Sequence, residues 1–181
     1  MIPARVKPPV VASRDPIEGS VLAHQPALLR AFLRLYGTLW SRGELDQFTK
    51  ELARIRNART VNCPICKATR FAGARAEGLV EEIVDQIRDG YAESSLAPRH
   101  KAVLAWVDAF LADPAGRHES LQRELLAHYS PAQIVELTAG IALFMGFSKI
   151  AVSLGGLPDE IPVHEQPTPD VAEPRAGDFG T

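Results

Sequence analysis

Cysteine is nearly absent from this 181-residue chain. The two present, Cys63 and Cys66, are too few for the disulfide framework that staples small secreted domains together. No sign of charge dominates, since 20 basic and 22 acidic side chains leave a formal net charge of -2. That removes the global electrostatic argument for nucleic acid or an anionic membrane as partner. An uninterrupted apolar run is missing from residues 1–9, where prolines fall in the place a signal peptide would need one, so the expectation is a cytoplasmic protein. No second C-x-x-C pair or closely spaced histidine pair exists, and His24, His100, His118, His128 and His164 are scattered. Neither a metal nor any other cofactor is therefore expected. The most apolar stretch, residues 137–154, carries Lys149 and follows Gln133 and Glu136. A buried helix explains it better than a membrane span.

What is present is helical spacing. Hydrophobic residues make up 46% of the chain, enough for one ordinary core. Pro26 suits a first helical position, with Leu28, Leu29, Phe32, Leu35, Tyr36 and Leu39 following at intervals of three and four up to Gly43. A second helix is expected from about Glu44 to Val61 and a third from the cysteines. A fourth carries Leu79, Ile83 and Ile87 to Gly90. The fifth runs from Pro98 to the stop signal Asp113-Pro114, and a short sixth holds Leu121, Leu125 and Leu126. Ser130-Pro131 then caps a long closing helix to about Leu154. No segment alternates with period two long enough to propose a strand. The expected fold is all-α, a compact domain of six to seven helices over residues 21–157. Proline-rich arms flank it at 1–20 and 158–181. The closing helix is apolar on more than one face, which fits equally a subunit interface or a central helix enclosed by its own subunit.

The cysteines sit in "TVNCPICKATR". Pro64 presets a helical φ and has no N–H to donate, so it belongs at the first helical position, with Cys63 as cap and Cys66 in the first turn. Unpaired N–H groups and the helix dipole there stabilise a thiolate, the form of cysteine that attacks disulfides and peroxides. The spacing also allows the pair to close a disulfide, one sulfur attacking and the other resolving. Residues 50–75 hold seven basic side chains against one acid, Glu51, while residues 77–93 hold six acids against Arg88. A basic surround favours the ionised thiol, although solvated helix faces are the plainer reading of most of these charges. Half of a zinc site and a pair of inert core thiols are the competing readings of the cysteines.

The stretch "ELARIRNARTVNCPICKATR" resembles the core motif of the alkylhydroperoxidase D-like proteins within the carboxymuconolactone decarboxylase superfamily. That motif has a glutamate, eleven intervening residues, C-x-x-C, and a histidine four residues on. Glu51, Cys63 and Cys66 match, and the likeness extends over roughly residues 22–157. The resemblance implies an all-helical subunit forming trimers or hexamers. It also implies a disulfide–dithiol cycle in which Cys66 attacks peroxide, Cys63 resolves, and Glu51 takes part in proton transfer. Where the family has its relay histidine this chain has Arg70, which accepts no proton. Ile65 stands at a second position that is often histidine. Arg70 is therefore expected to hold a fixed positive charge one turn from Cys66 and to pair with Glu51, with a local Glu51–Arg54 pair as the alternative.

The function so implied is a thiol-dependent peroxidase or disulfide reductase, acting on a peroxide or disulfide and recharged by an external dithiol or thiol protein. A lactone decarboxylase-type lyase and a non-enzymatic oligomeric redox sensor or scaffold are the alternatives.

Overall fold

The computed structural model describes residues 4–12, 16–116 and 118–171. A 3-10 turn at Val21–His24 leads into α1 (Pro26–Ser41) and α2 (Gln47–Val61). A short helix α3 (Pro64–Ala68), a three-residue strand β1 (Thr69–Phe71) and another short helix α4 (Ala72–Ala76) follow without a break. Then come α5 (Glu81–Val84), α6 (Pro98–Ala112), α7 (Glu119–Leu126), α8 (Pro131–Leu154) and a second strand, β2 (His164–Gln166). Among the described residues the fold is all-α apart from this two-stranded parallel ribbon, in which Thr69, Arg70 and Phe71 lie opposite His164, Glu165 and Gln166.

Helix starts follow local chemistry. Pro26 and Pro98 open α1 and α6, and Ser130 with Gln133 forms a reciprocal capping box ahead of Pro131. The second helix begins three residues later than Glu44. Asp46 is its cap, accepting the Thr49 N–H at 2.7 Å, while the Glu136 carboxylate takes the N–H groups of Glu44 and Leu45. The expected fourth helix is helical only over Glu81–Val84 and otherwise a chain of turns.

The expectation of no strand is corrected by the ribbon. It escapes a period-two search because each strand is three residues long and its hydrogen bonds come from the C-terminal arm, 95 residues away. That arm is not a loose extension over its described part. Thr168 accepts the Gly73 N–H at 2.8 Å, and the backbone at Asp170 lies where a side chain on Gly37 would have to be. The N-terminal arm also docks, with the Arg5 N–H reaching the Leu154 carbonyl at 2.7 Å.

At the centre lies α2, packed between α8 and α6, with most of its side chains buried. The solvated-face reading of its charges is wrong for Lys50, Glu51, Arg54 and Arg56, all of which are buried. Each has a partner within the fold, which is the condition for burying charge. Lys50 pairs with Glu136 at 2.8 Å, Arg54 with Glu51 at 2.7 Å, and Arg56 with Asp108 at 2.6 Å and Asp89 at 2.9 Å. Around Trp40, fully enclosed, the rings of Tyr36, Phe71 and Phe144 pack edge-on or tilted at 4.7–6.1 Å, joining α1, β1 and α8. A second cluster beneath α2 contains Leu52, Ile55, Leu79, Ile87 and Leu104.

By length and composition alone α8 could cross a membrane. Here one side of it, carrying Leu137, Ile141, Phe144 and Ser148, is buried in the domain, while Val135 on another side is 69% exposed.

Candidate active site

The chain reverses sharply at the end of α2. Asn62 adopts the left-handed conformation (φ 57°), which asparagine tolerates better than most residues, and Lys67 holds its side chain at 2.7 Å. The reversal sets Cys63 at the cap of α3, where its sulfur accepts the Cys66 N–H at 3.4 Å. The two cysteines are joined as a disulfide, with their Cα atoms 5.2 Å apart. The sulfurs are not equivalent. Cys63 is completely buried against Ala58, Ala151 and Val152, whereas Cys66 is 9% exposed and lines a pocket.

That pocket is apolar over most of its wall, which includes Tyr36, Phe71, Phe144 and Phe147, with Arg54 and Cys66 also lining it. Both arms help to close it, Ile17 from the N-terminal segment and Gln166 from β2. A reagent entering the pocket meets Cys66 and not Cys63.

Of the charged groups expected at the site, Glu51 is the more deeply placed. Its carboxylate accepts from Nε and Nη2 of Arg54, each at 2.7 Å, and from the Phe71 N–H at 3.2 Å. The remaining donors of Arg54 go to the carbonyls of Cys66 at 2.7 Å and Thr69 at 2.6 Å. Those carbonyls lie at the end of a five-residue helix, where the backbone leaves acceptors without partners. Arg54 thus ties Glu51 to the cysteine turn. Burial alone would lower its pKa, but the charge and hydrogen bonds of Glu51 outweigh that and hold it above its ordinary value.

Arg70 is placed differently from the expectation. It lies in β1, not on a helix shared with Cys66, because α3 ends at Ala68. Its guanidinium turns away from Glu51 to form a two-pronged pair with Glu81 at 3.0 and 3.1 Å, and it also donates to the carbonyls of Lys67 and Thr69. Arg75 bonds the same carboxylate. Burial would raise the Glu81 pKa, but these two arginines more than reverse that, so it lies below the usual carboxylate value. The Glu51–Arg70 pair is therefore replaced by the local Glu51–Arg54 pair. Arg54 is nearer in sequence and approaches along α2, whereas Arg70, still buried, pairs from the strand with Glu81.

Two residues at the sulfur were not singled out from sequence. The Ser148 hydroxyl, from α8, lies 3.4 Å from Cys66 Sγ, and Asn57 Nδ2, from α2, lies 3.2 Å from that hydroxyl. The only sequence signal for Ser148 is that it is polar within the apolar stretch "GIALFMGFSKIAV". His164 is one of the five scattered histidines. Through β2 it reaches the rim of the site, its Nε2 3.3 Å from Thr69 Oγ1.

Comparison with known proteins gives a consistent picture. Residues 26–109, from α1 into α6, match the carboxymuconolactone decarboxylase family. An uncharacterized protein of Mycobacterium tuberculosis (strain H37Rv) is 35% identical over 111 residues, which is 61% of this chain and 39% of that one. A second uncharacterized protein, from strain CDC 1551, matches to the same extent. The chain spans about two fifths of the length of these curated relatives. Among solved structures, an uncharacterized peroxidase-related protein of Ralstonia eutropha JMP134, with an alkylhydroperoxidase AhpD core, superposes with a TM-score of 0.65 at 21% identity, over 78% of this chain and 79% of that one. A protein of unknown function from Agrobacterium tumefaciens gives 0.63 at 23% identity, over 75% and 93%. At these identities the likeness is one of fold.

Proposed function

We propose, from the match of residues 26–109 to the carboxymuconolactone decarboxylase family and the likeness in fold to an alkylhydroperoxidase AhpD core, that the chain is a thiol-dependent peroxidase or disulfide reductase cycling through Cys63 and Cys66. The observation that carries this reading is the inequality of the two bonded sulfurs, one sealed and one facing a pocket.

In the reduced protein the Cys66 thiolate attacks the distal oxygen of a hydroperoxide. The O–O bond breaks, an alcohol leaves after taking up a proton, and Cys66 becomes a sulfenic acid. The Cys63 thiolate then attacks that sulfur and expels water once a second proton is supplied, forming the disulfide. One peroxide and two thiols thus give one alcohol, one water and one disulfide. An external dithiol attacks the accessible Cys66 sulfur, releases Cys63 as its thiolate, and leaves as its own disulfide after the second exchange. The Cys66 N–H at Cys63 Sγ stabilises that leaving thiolate.

Arg54 and Glu51 act by fixing the turn that presents Cys66. Subunits associate through the exposed apolar face of α8, and the cycle runs in a reducing compartment such as the cytoplasm, which returns the pair to its dithiol form.

A redox sensor is the second reading. It is favoured by the absence, among the described residues, of any histidine or carboxylate bonded to either sulfur. The experiment is turnover of an organic hydroperoxide with excess dithiol. Many cycles per chain, lost in Cys66→Ser, support the peroxidase. A single disulfide-forming event without recycling sinks it in favour of the sensor, and lactone decarboxylation, assayed separately and persisting in the Cys63→Ser, Cys66→Ser double variant, turns the assignment to a lyase.

A further inference from the structure

We propose that Ser148 is a catalytic residue of the redox pair, donating a hydrogen bond from its hydroxyl to Cys66 Sγ, and that Asn57 is the positioning residue that aims it. This rests on the thiol-redox reading above, since it concerns the charge that forms on the same sulfur.

A serine hydroxyl has a single proton, and in a helix that proton usually goes to a carbonyl one turn back. Thr138, on the same helix, does this with the Ile134 carbonyl at 2.7 Å, and Ser153 bonds the Ile150 carbonyl at 3.2 Å. Ser148 is directed instead at Cys66 Sγ, 3.4 Å away. It is 2% exposed, so water does not compete for it. Asn57 Nδ2 donates to the Ser148 oxygen at 3.2 Å, occupying an acceptor site and leaving the proton to point toward sulfur. The chain of donors therefore runs one way, from the Asn57 amide to the Ser148 hydroxyl to Cys66. Keeping Asn57 in this orientation has a cost, because its buried Oδ1 has no hydrogen-bond partner among the described residues.

A disulfide or thiol sulfur is a weak acceptor and a thiolate a strong one, so this bond strengthens as charge collects on Cys66. In the second thiol exchange, where Cys66 leaves as a thiolate, this lowers the barrier; in the attack on peroxide, where charge leaves the sulfur, it acts by raising the thiolate fraction. A donor that favours the ionised form also lowers the thiol pKa. The contact supplies a fixed hydrogen bond at the sulfur of a chain that has arginine at position 70.

Other ionisable groups around Cys66 come from several elements. Tyr36 is on α1, Glu51 and Arg54 on α2, Cys63 and Lys67 in the same turn, Arg70 on β1 and His164 on β2. Glu51 and Arg54 neutralise one another, and Arg70 is held by Glu81. Variation at Ser148 leaves all of these in place.

The test is the pH dependence of iodoacetamide alkylation of reduced Cys66, measured in a Cys63→Ser background so that one thiol reports. Ser148→Ala is expected to raise the midpoint by about one to two pH units, which slows alkylation roughly tenfold or more on the acid side. Ser148→Thr, which keeps the hydroxyl, is expected to stay near the parent value. Asn57→Asp presents only acceptors to the hydroxyl and is expected to raise the midpoint as well. An unchanged midpoint in folded Ser148→Ala overturns the proposal, as does a Thr variant that behaves like Ala. An unchanged midpoint in folded Asn57→Asp overturns the aiming role. If Asn57→Asp fails to fold, the Ala and Thr pair still decides. Alkylation needs no peroxide, so a protein that never turns over hydroperoxide defeats the peroxidase reading and leaves this result standing on its own.

Discussion

Arg54 and Glu51 form a two-pronged ion pair inside the domain, and the free edge of the guanidinium holds the carbonyl of Cys66. Removing either partner leaves the other charged and without its counter-ion in a site closed to water. Glu51→Gln and Arg54→Met are each expected to cost about 3–5 kcal/mol in urea unfolding. The double variant Glu51→Leu, Arg54→Met is expected to be no less stable than Arg54→Met alone, since it buries no lone charge. A double variant destabilised by the sum of the two single losses would contradict the pairing.

Arg70 is expected to have no say in the reactivity of Cys66. Its guanidinium is spent on Glu81 and two carbonyls. Arg70→Ala should leave the pH profile of Cys66 alkylation where it was, while lowering unfolding stability by about 1–2 kcal/mol through the lost charge-assisted bonds. A shift of that profile by a full pH unit would return Arg70 to the site.

The C-terminal arm is expected to control entry to the pocket. Gly37 lies mid-helix on α1 with the Asp170 backbone directly against it, leaving no room for a methyl group. Gly37→Ala should push the arm away while adding about 0.5–1 kcal/mol of helix propensity to α1. Faster alkylation of Cys66 and faster proteolysis near residue 165, with the helical core intact, is the expected outcome. Unaltered rates of both would mean that the arm does not cover the thiol.

His100 should make the fold sensitive to mild acid. It stacks on Phe48 with ring centroids 4.7 Å apart and accepts from Arg99 Nε at 3.0 Å, so its ring is held neutral. Burial, reinforced by the Arg99 charge, depresses its pKa below the ordinary 6.5. Above 6.5 neither the folded nor the unfolded chain is protonated there, and the residue has no effect on stability. Below it the unfolded chain takes up a proton that the folded one refuses. Stability therefore falls with pH until the folded pKa is reached, and the loss then levels off. Urea midpoints from pH 7.5 to 5 should decline less in His100→Gln than in the parent protein.

Helix starts were legible in the sequence wherever one residue fixes the local backbone, as at Pro26, Pro98 and Ser130-Pro131. The cap at Cys63 was legible for the same reason, because Pro64 admits few alternatives. The placing of α2 was not. "KELARIRNARTV" has the composition of a solvent-facing helix, and its burial depends on Glu136, Asp108 and Asp89, acids 33 to 86 residues away in the chain from the bases they pair with. Position 70 misled because its spacing from Cys66 suggests one more helical turn. The arm from residues 164–166 instead recruits residues 69–71 into a strand, from which Arg70 pairs with Glu81. Ser148 was hidden in the opposite way, as a single hydroxyl in an apolar stretch whose neighbour belongs to a turn 82 residues earlier.

The sealing of Cys63 makes the two single-cysteine proteins unequal as bait. A chain that keeps only Cys66, oxidised to its sulfenic acid by peroxide, can bond an incoming donor thiol as a mixed disulfide, which acid quenching preserves before a second donor thiol resolves it. A chain that keeps only Cys63 offers a folded protein nothing it can touch. Fishing for the physiological electron donor should therefore use the first, with the second as its matched blank.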